Sequence, residues 1–345
     1  MKKYLKIIGI SVLILAMLVY ADESGAAVVK GLKLCGGSVI PALFPMFVGA
    51  KLLVGLLRET RLPKLFLRLW EHLFGVSGAC FYGFFFGLLG GYPLGAAVIS
   101  ELYESKCISK EDAERSLRFS NNSGPGFFVA ALGAKIFHSS KAGLYLYGIH
   151  VVSALLVGCM LGGGANVSGE YSNLREKPQS LGNLLIESIR SSCFSILQIC
   201  GLIVFFTVLG DLAECVGVFQ LLSRLPVEIE YSEIRTILQG LLELTSGIFS
   251  LESSSTGFIL AAFLMGWGGF CVHIQAATLW QKAGLRPRGY YSAKLLQGII
   301  SALIASTILY RSILLAGIIV LFLLFVPIII RIFRKCTGNP ERYAL

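Results

Sequence analysis

Charged side chains are scarce in this sequence. Asp, Glu, Lys and Arg make up 14% of its 345 residues, where a soluble domain carries about 25%. So few charges cannot cover a globular surface with solvated groups. Apolar residues fill 55% of the chain, and the mean hydropathy is +0.75. These numbers describe an all-α polytopic membrane protein, with most of its length in or against a bilayer.

Other absences exclude chemistry. There are only four histidines. The nine cysteines form no C-x-x-C pair and no Cys/His cluster with zinc spacing, and most sit inside apolar runs as small packing residues. Nothing matches G-x-x-x-x-G-K-[ST] or H-E-x-x-H, and no Ser/His/Asp set stands in a recognisable context. ATP-driven transport by this chain alone is therefore disfavoured, no enzyme is read, and no cofactor or metal is expected. The formal net charge of +10 suggests nucleic acid at first. The basic residues, however, lie mostly between apolar spans, as at Arg58, Arg61, Lys64 and Arg68. That is positive-inside anchoring, and no nucleic-acid partner is expected.

The apolar runs are interrupted. Lys2 and Lys3 precede a short run from Leu5 to Val19, read as a retained anchor over a cleaved signal segment. Cys35 to Leu57 carries Pro41 and Pro45 and should kink. Arg61 to Leu73 alternates basic with large apolar residues, as an interfacial helix does. Ser77 to Ser100 is cut by Gly90-Gly91-Tyr92-Pro93. Each half is roughly 18 Å as helix, too short for a bilayer core of roughly 30 Å, so a re-entrant hairpin is expected. Phe119 to Phe137 opens with turn chemistry, Ser120-Asn121-Asn122-Ser123-Gly124-Pro125-Gly126, and reads as a discontinuous helix. Gly143 to Leu161 is a cleaner span holding His150, and Gly162 to Gly182 is a polar linker.

The second half follows the same plan. Ser192 to Leu209 is a span, and Ile237 to Phe249 is apolar but holds Glu243. Thr256 to Trp280 is broken by Gly266-Trp267-Gly268-Gly269, and two more spans follow, Tyr290 to Tyr310 and Ile313 to Ile330. Laying Phe86–Tyr92 over Leu264–Phe270 makes two re-entrant hairpins of the two glycine pairs. Three full crossings per half then put the halves in opposite orientations, an inverted-repeat transporter-like fold. The boundaries on this reading are an anchor and loop at 1–33, a first repeat at 34–161, a linker at 162–191, a second repeat at 192–332 and a polar tail at 333–345. Most loop charges suit this topology. Lys282, Arg286, Arg288 and the tail of Arg331, Arg334 and Lys335 fall on the wrong side.

The candidate substrate-binding residues are those at the breaks. Gly90, Gly91, Tyr92, Gly268 and Gly269 free backbone groups, and Asn121, Asn122 and Ser123 add donors and acceptors. His273 and Gln275 lie opposite if their segment is locally extended. Each polar group alone could equally serve helix–helix hydrogen bonding. Glu243 is a candidate for ion or proton coupling, against a solvated interfacial carboxylate. The breaks should converge, because lipid cannot satisfy freed backbone groups.

At Pro41-Ala42-Leu43-Phe44-Pro45, Gly91-Tyr92-Pro93-Leu94-Gly95-Ala96, Ser120-Asn121-Asn122-Ser123-Gly124-Pro125 and Gly268-Gly269-Phe270-Cys271-Val272-His273-Ile274-Gln275, the sequence resembles the YlbJ-type sporulation integral membrane proteins of the nucleoside-recognition or gate-domain group. The resemblance runs over roughly residues 36–310. It implies a fold like that of concentrative nucleoside transporters and a place in a bacterial cytoplasmic membrane, the outer forespore membrane. It also implies a secondary transporter or facilitator for a small anion, dipicolinic acid. Two alternatives stay open: a nucleoside or nucleobase transporter of the same fold, and a non-transporting scaffold in sporulation. A small-molecule substrate and the lipid bilayer are the expected partners, with self-association left open.

Overall fold

The computed structural model describes residues 2–57, 63–162, 180–222 and 230–311. Most of the 162–182 linker, the 313–330 span and the 333–345 tail lie outside the described residues, as do Arg58 and Arg61.

Every regular element among the described residues is helical. In chain order these are α1 (Lys2–Val19), α2 (Ala21–Leu34), which runs through a π-turn into α3 (Ile40–Leu57), α4 (Lys64–Phe74), α5 (Cys80–Gly90), α6 (Leu94–Glu104) and α7 (Lys110–Ser120). A π-type helix, Phe127–Ile136, follows. Then come α8 (Ser140–Gly162), α9 (Leu181–Cys215), α10 (Val218–Leu222), α11 (Tyr231–Leu242), α12 (Leu244–Phe249), α13 (Ser255–Trp267), α14 (Gly269–Lys282) and α15 (Tyr290–Tyr310). Among the described residues, Ser140–Gly162, Leu181–Cys215, Ser255–Lys282 and Tyr290–Tyr310 are each long and apolar enough to cross a membrane. Lys3–Val19 with Ala21–Val39, bent by 95°, makes a fifth if counted as one span. The chain is an integral membrane protein.

The first glycine break reverses the chain. α5 and α6 fold back on each other, with Gly83 facing Ile99 and Gly87 facing Gly95. Small residues on both helices permit that approach. The turn is at Gly91, whose φ of +85° is open to glycine and strained for other residues.

The second glycine break does not. α13 and α14 continue as one 28-residue segment, Ser255–Lys282. At 1.5 Å per residue this is about 42 Å, ample for one crossing. Gly268 and Gly269, at φ 91° and 81°, interrupt this helix without reversing it. The expected hairpin over 256–280 is thus corrected to a broken span. The physical reason lies in which neighbour each half packs against. Gly266 of α13 sits on Gly298 of α15, where an added Cβ would lie 2.7 Å from the Gly298 Cα. α13 thereby spends its small face on α15.

The chain reverses instead at Glu243. Thr236 Oγ1 donates to Ser250 O at 3.1 Å, and Ser250 Oγ to Gln239 Oε1 at 3.0 Å. Gly247 lies on Gly240, where an added Cβ would come 2.2 Å from the Gly240 Cα, and a Cβ on Gly240 would meet the Leu264 side chain of α13. These pairings run antiparallel about residue 243, so α11 and α12 form the second helical hairpin. α9 begins at Leu181, ahead of the expected span start at 192.

The amphipathic α4 buries Trp70, which meets Phe81 edge-on at a ring distance of 5.2 Å, and Phe74, which stacks on Phe119 at 5.3 Å. This ties α4 to the first hairpin and to the end of α7.

Candidate functional site

α7 starts well and ends abruptly. Ser109 caps it by accepting from the Asp112 N–H at 3.1 Å, and Glu111 and Asp112 occupy its first turn. It stops at Ser120, and residues 121–124 are non-helical. Asn121 is extended, at φ −85° and ψ 101°. Pro125 lacks the N–H that a continuing helix would use.

The first hairpin cradles this break. A Cβ on Gly95 would lie 1.9 Å from Ser120 O, and one on Gly124 would lie 2.8 Å from Leu89 O and 3.1 Å from Gly91 N. Gly90 closes α5 against the side chains of Leu94 and Met46. Tyr92 then reaches across to the second break. Its hydroxyl donates to Met265 O at 2.7 Å, and its ring lies against Gly268, where a Cβ would meet Cζ at 3.3 Å.

The polar side chains at this junction are joined by hydrogen bonds. Asn122 donates through Nδ2 to Phe119 O at 2.7 Å and accepts through Oδ1 from Gln297 Nε2 at 3.1 Å. Gln297 Oε1 accepts from Lys294 Nζ at 2.5 Å, and the same ammonium donates to Asn121 O at 2.7 Å. Asn121 Nδ2 donates to the Tyr290 hydroxyl at 2.8 Å, which lies 3.5 Å from His273 Nδ1. The Ser123 N–H donates to His150 Nε2 at 3.2 Å. Because Nε2 accepts, neutral His150 carries its proton on Nδ1. That N–H, Asn121 Oδ1 and His273 Nε2 are buried with no hydrogen-bond partner among the described residues.

Lys294 is the unexpected member. It is 0% exposed, as are Asn121, Asn122, His273 and Gln297. Its ammonium also stands 5.3 Å from the centroid of the Tyr92 ring. Among the described residues no Asp or Glu pairs with it. Reading Tyr290 to Tyr310 as a plain span missed Lys294, Gln297 and Tyr290. The signal was there: a lysine one turn inside an apolar span marks a functional position by default.

The remaining candidates sit apart from this cluster. Gly269 faces the turn of the second hairpin, where a Cβ would lie 3.0 Å from Gly240 O and 3.1 Å from Leu244 N. α14 is helical, so His273 and Gln275 point to different faces. Gln275 donates to Cys271 Sγ on its own helix at 3.2 Å. Glu243 accepts from the Thr245 and Ser246 N–H groups at 3.0 Å and 2.7 Å, capping α12. No group of His, Cys, Asp and Glu suited to hold a metal ion occurs among the described residues.

No family model matches the chain. No solved structure matches it either. Among curated proteins it is similar to the sporulation integral membrane protein YlbJ of Bacillus subtilis (strain 168), with 25% identity over 307 residues, covering 79% of this chain and 74% of the relative. That similarity supports the YlbJ-type resemblance carried by the sequence motifs.

Proposed function

We propose that this chain, a YlbJ-type sporulation integral membrane protein, is a secondary carrier or facilitator for a small organic anion, with dipicolinate as the substrate. One observation carries the reading. An ammonium is buried without a carboxylate partner at the junction of the first hairpin with both helix breaks. Burying an ion costs several kcal/mol even after relaxation, and a positive charge with no carboxylate beside it leaves a net charge that favours a negative ligand. Around it stand neutral amides, two imidazoles and aromatic rings, which suit a flat heteroaromatic carboxylate.

The architecture is compatible with this role. Each half can be read as a helical hairpin, a broken span and a plain span: α5–α6, α7 with Phe127–Ile136, and α8 in the first; α11–α12, α13–α14 and α15 in the second. In each, the break of the span lies against the turn of its own hairpin, Gly124 on Gly91 and Gly269 on Gly240 and Leu244. Counting α3 and α9 as spans gives three crossings per half, a count that supports reading the halves as oppositely oriented. Moving the second hairpin to Glu243 also returns Lys282, Arg286 and Arg288 to the basic side. The Arg286 N–H donates to Glu114 at 2.8 Å, next to the basic approach to α7. Interrupted spans meeting at a repeat interface are where carriers of this kind bind substrate.

The test is uptake of labelled dipicolinate into proteoliposomes holding the purified chain, with uridine as competitor. Saturable dipicolinate uptake that uridine leaves unchanged is expected. Uridine uptake without dipicolinate movement would favour the nucleoside reading, and movement of neither would favour a scaffold. In a spore-former, deleting the gene should lower spore dipicolinate.

A further inference from the structure

Anion carriers with broken helices commonly bind a metal cation beside the substrate, held by carbonyl oxygens at the C-terminal end of a half-helix. Such an end carries roughly half a negative elementary charge. Here the C-terminal end of α7 already holds a cation. Lys294 Nζ lies 2.7 Å from Asn121 O and 2.5 Å from Gln297 Oε1, with the Tyr92 ring face at 5.3 Å. Carbonyl oxygens and a π-face are what cations seek. The cage also draws on separate elements: α7, α15 and the first hairpin, whose Tyr92 is tied to α13 through Met265 O.

The ammonium has three N–H donors. Two are used on carbonyl-type oxygens, and the third side is covered by the ring. Lys294 is therefore arranged as a caged charge more than as a free donor waiting for a ligand. Gln297 extends the cage outward, since its Nε2 donates to Asn122 Oδ1. The cation is thus wired to the Asn121–Asn122 break itself.

We propose that Lys294 is a tethered resident cation: its ammonium occupies the coupling-cation position of the site, so that anion movement needs no metal ion as co-substrate. This rests on the anion-carrier reading and adds to it the mode of coupling.

Two measurements test it. The first needs no anion. Thermal unfolding of the detergent-purified protein is followed in chloride salts of Na+, K+ and choline, and with ethylammonium. Wild type should show no stabilisation by Na+ or K+ over choline. Lys294→Ala opens the cage and should gain stability from millimolar ethylammonium, whereas Lys294→Met, which refills the space with an apolar chain, should not. The second is proteoliposome uptake of dipicolinate with choline as the only external cation besides buffer. Wild type should work as well as in Na+. A site coupled to a metal ion would show a dependence on the order of 10-fold or more.

Specific stabilisation of wild type by Na+ or K+, or uptake that needs either ion, would overturn the tethered-cation proposal while leaving the anion-carrier reading standing. Absence of any dipicolinate movement, with the anion-free pattern as expected, would overturn the substrate instead. Should Lys294→Ala fail to fold, the wild-type cation series still decides.

Discussion

At the scale of single residues, the site is held by a few hydrogen bonds whose loss should be unequal. Tyr290 accepts from Asn121 at 2.8 Å in a wholly buried setting. Tyr290→Phe strands that amide, and a buried unsatisfied donor costs about 1–3 kcal/mol. Ser301 donates to Ser153 at 2.8 Å, but Ser153 keeps its own bond to His150 O. Ser301→Ala should therefore cost less, about 1 kcal/mol or below. Unfolding temperatures of the two variants in detergent check the order, and equal losses would contradict the network. Asn121, Asn122 and Ser123 were legible as a group because turn chemistry abutting an apolar helix is unusual in lipid. Lys294 was hidden by its neighbours. Arg286 and Arg288 close by make it resemble one more basic residue anchoring a span end. Only packing reveals that Lys294 points inward.

At the scale of elements, glycines decide which helices can touch. Gly95 meets the end of α7 so closely that an added Cβ would lie 1.9 Å from Ser120 O, a backbone atom. Gly148 on α8 has nothing within 4 Å of such a Cβ. Gly95→Ala should cost about 1–3 kcal/mol through overpacking and push the first hairpin off the break. Gly148→Ala should be near neutral. Thermal unfolding of both against wild type tests this, and a tolerated Gly95→Ala would mean that the hairpin sits elsewhere. The same logic explains the misreading of the second glycine pair. Gly-Gly followed by an aromatic looks alike at residues 90–92 and 268–270. Whether two half-helices reverse or run on depends on whether their small faces meet each other. Gly87 meets Gly95, whereas Gly266 meets Gly298 of α15.

At the scale of the whole molecule, the corrected order of elements makes a topological prediction. With α13–α14 crossing once, the 283–289 loop shares a side with the loop before α7, as the Arg286–Glu114 contact requires. Truncations fused to green fluorescent protein or alkaline phosphatase after Lys106 and after Gly284 should both fluoresce. A fusion after Tyr310 should give phosphatase activity. Phosphatase activity after Gly284 would restore the re-entrant reading of 256–280. On this order Lys282, Arg286 and Arg288, which the sequence reading put on the wrong side, would suit the positive-inside rule, while the tail of Arg331, Arg334 and Lys335 lies outside the described residues.

Composition and the length of the apolar runs by themselves determined that this is a helical membrane protein with interrupted spans. A bilayer admits few alternatives for so apolar a chain. The same local chemistry located the breaks at Gly91, at Asn121 to Gly124 and at Gly268–Gly269, because glycine, proline and asparagine act on the backbone where they stand. Tertiary structure alone decided which break reverses the chain, that the second reversal is at Glu243, and that Lys294 lies at the junction. Those outcomes depend on contacts between residues far apart in sequence, such as Lys294 with Asn121, and no local pattern encodes the partner of a buried charge.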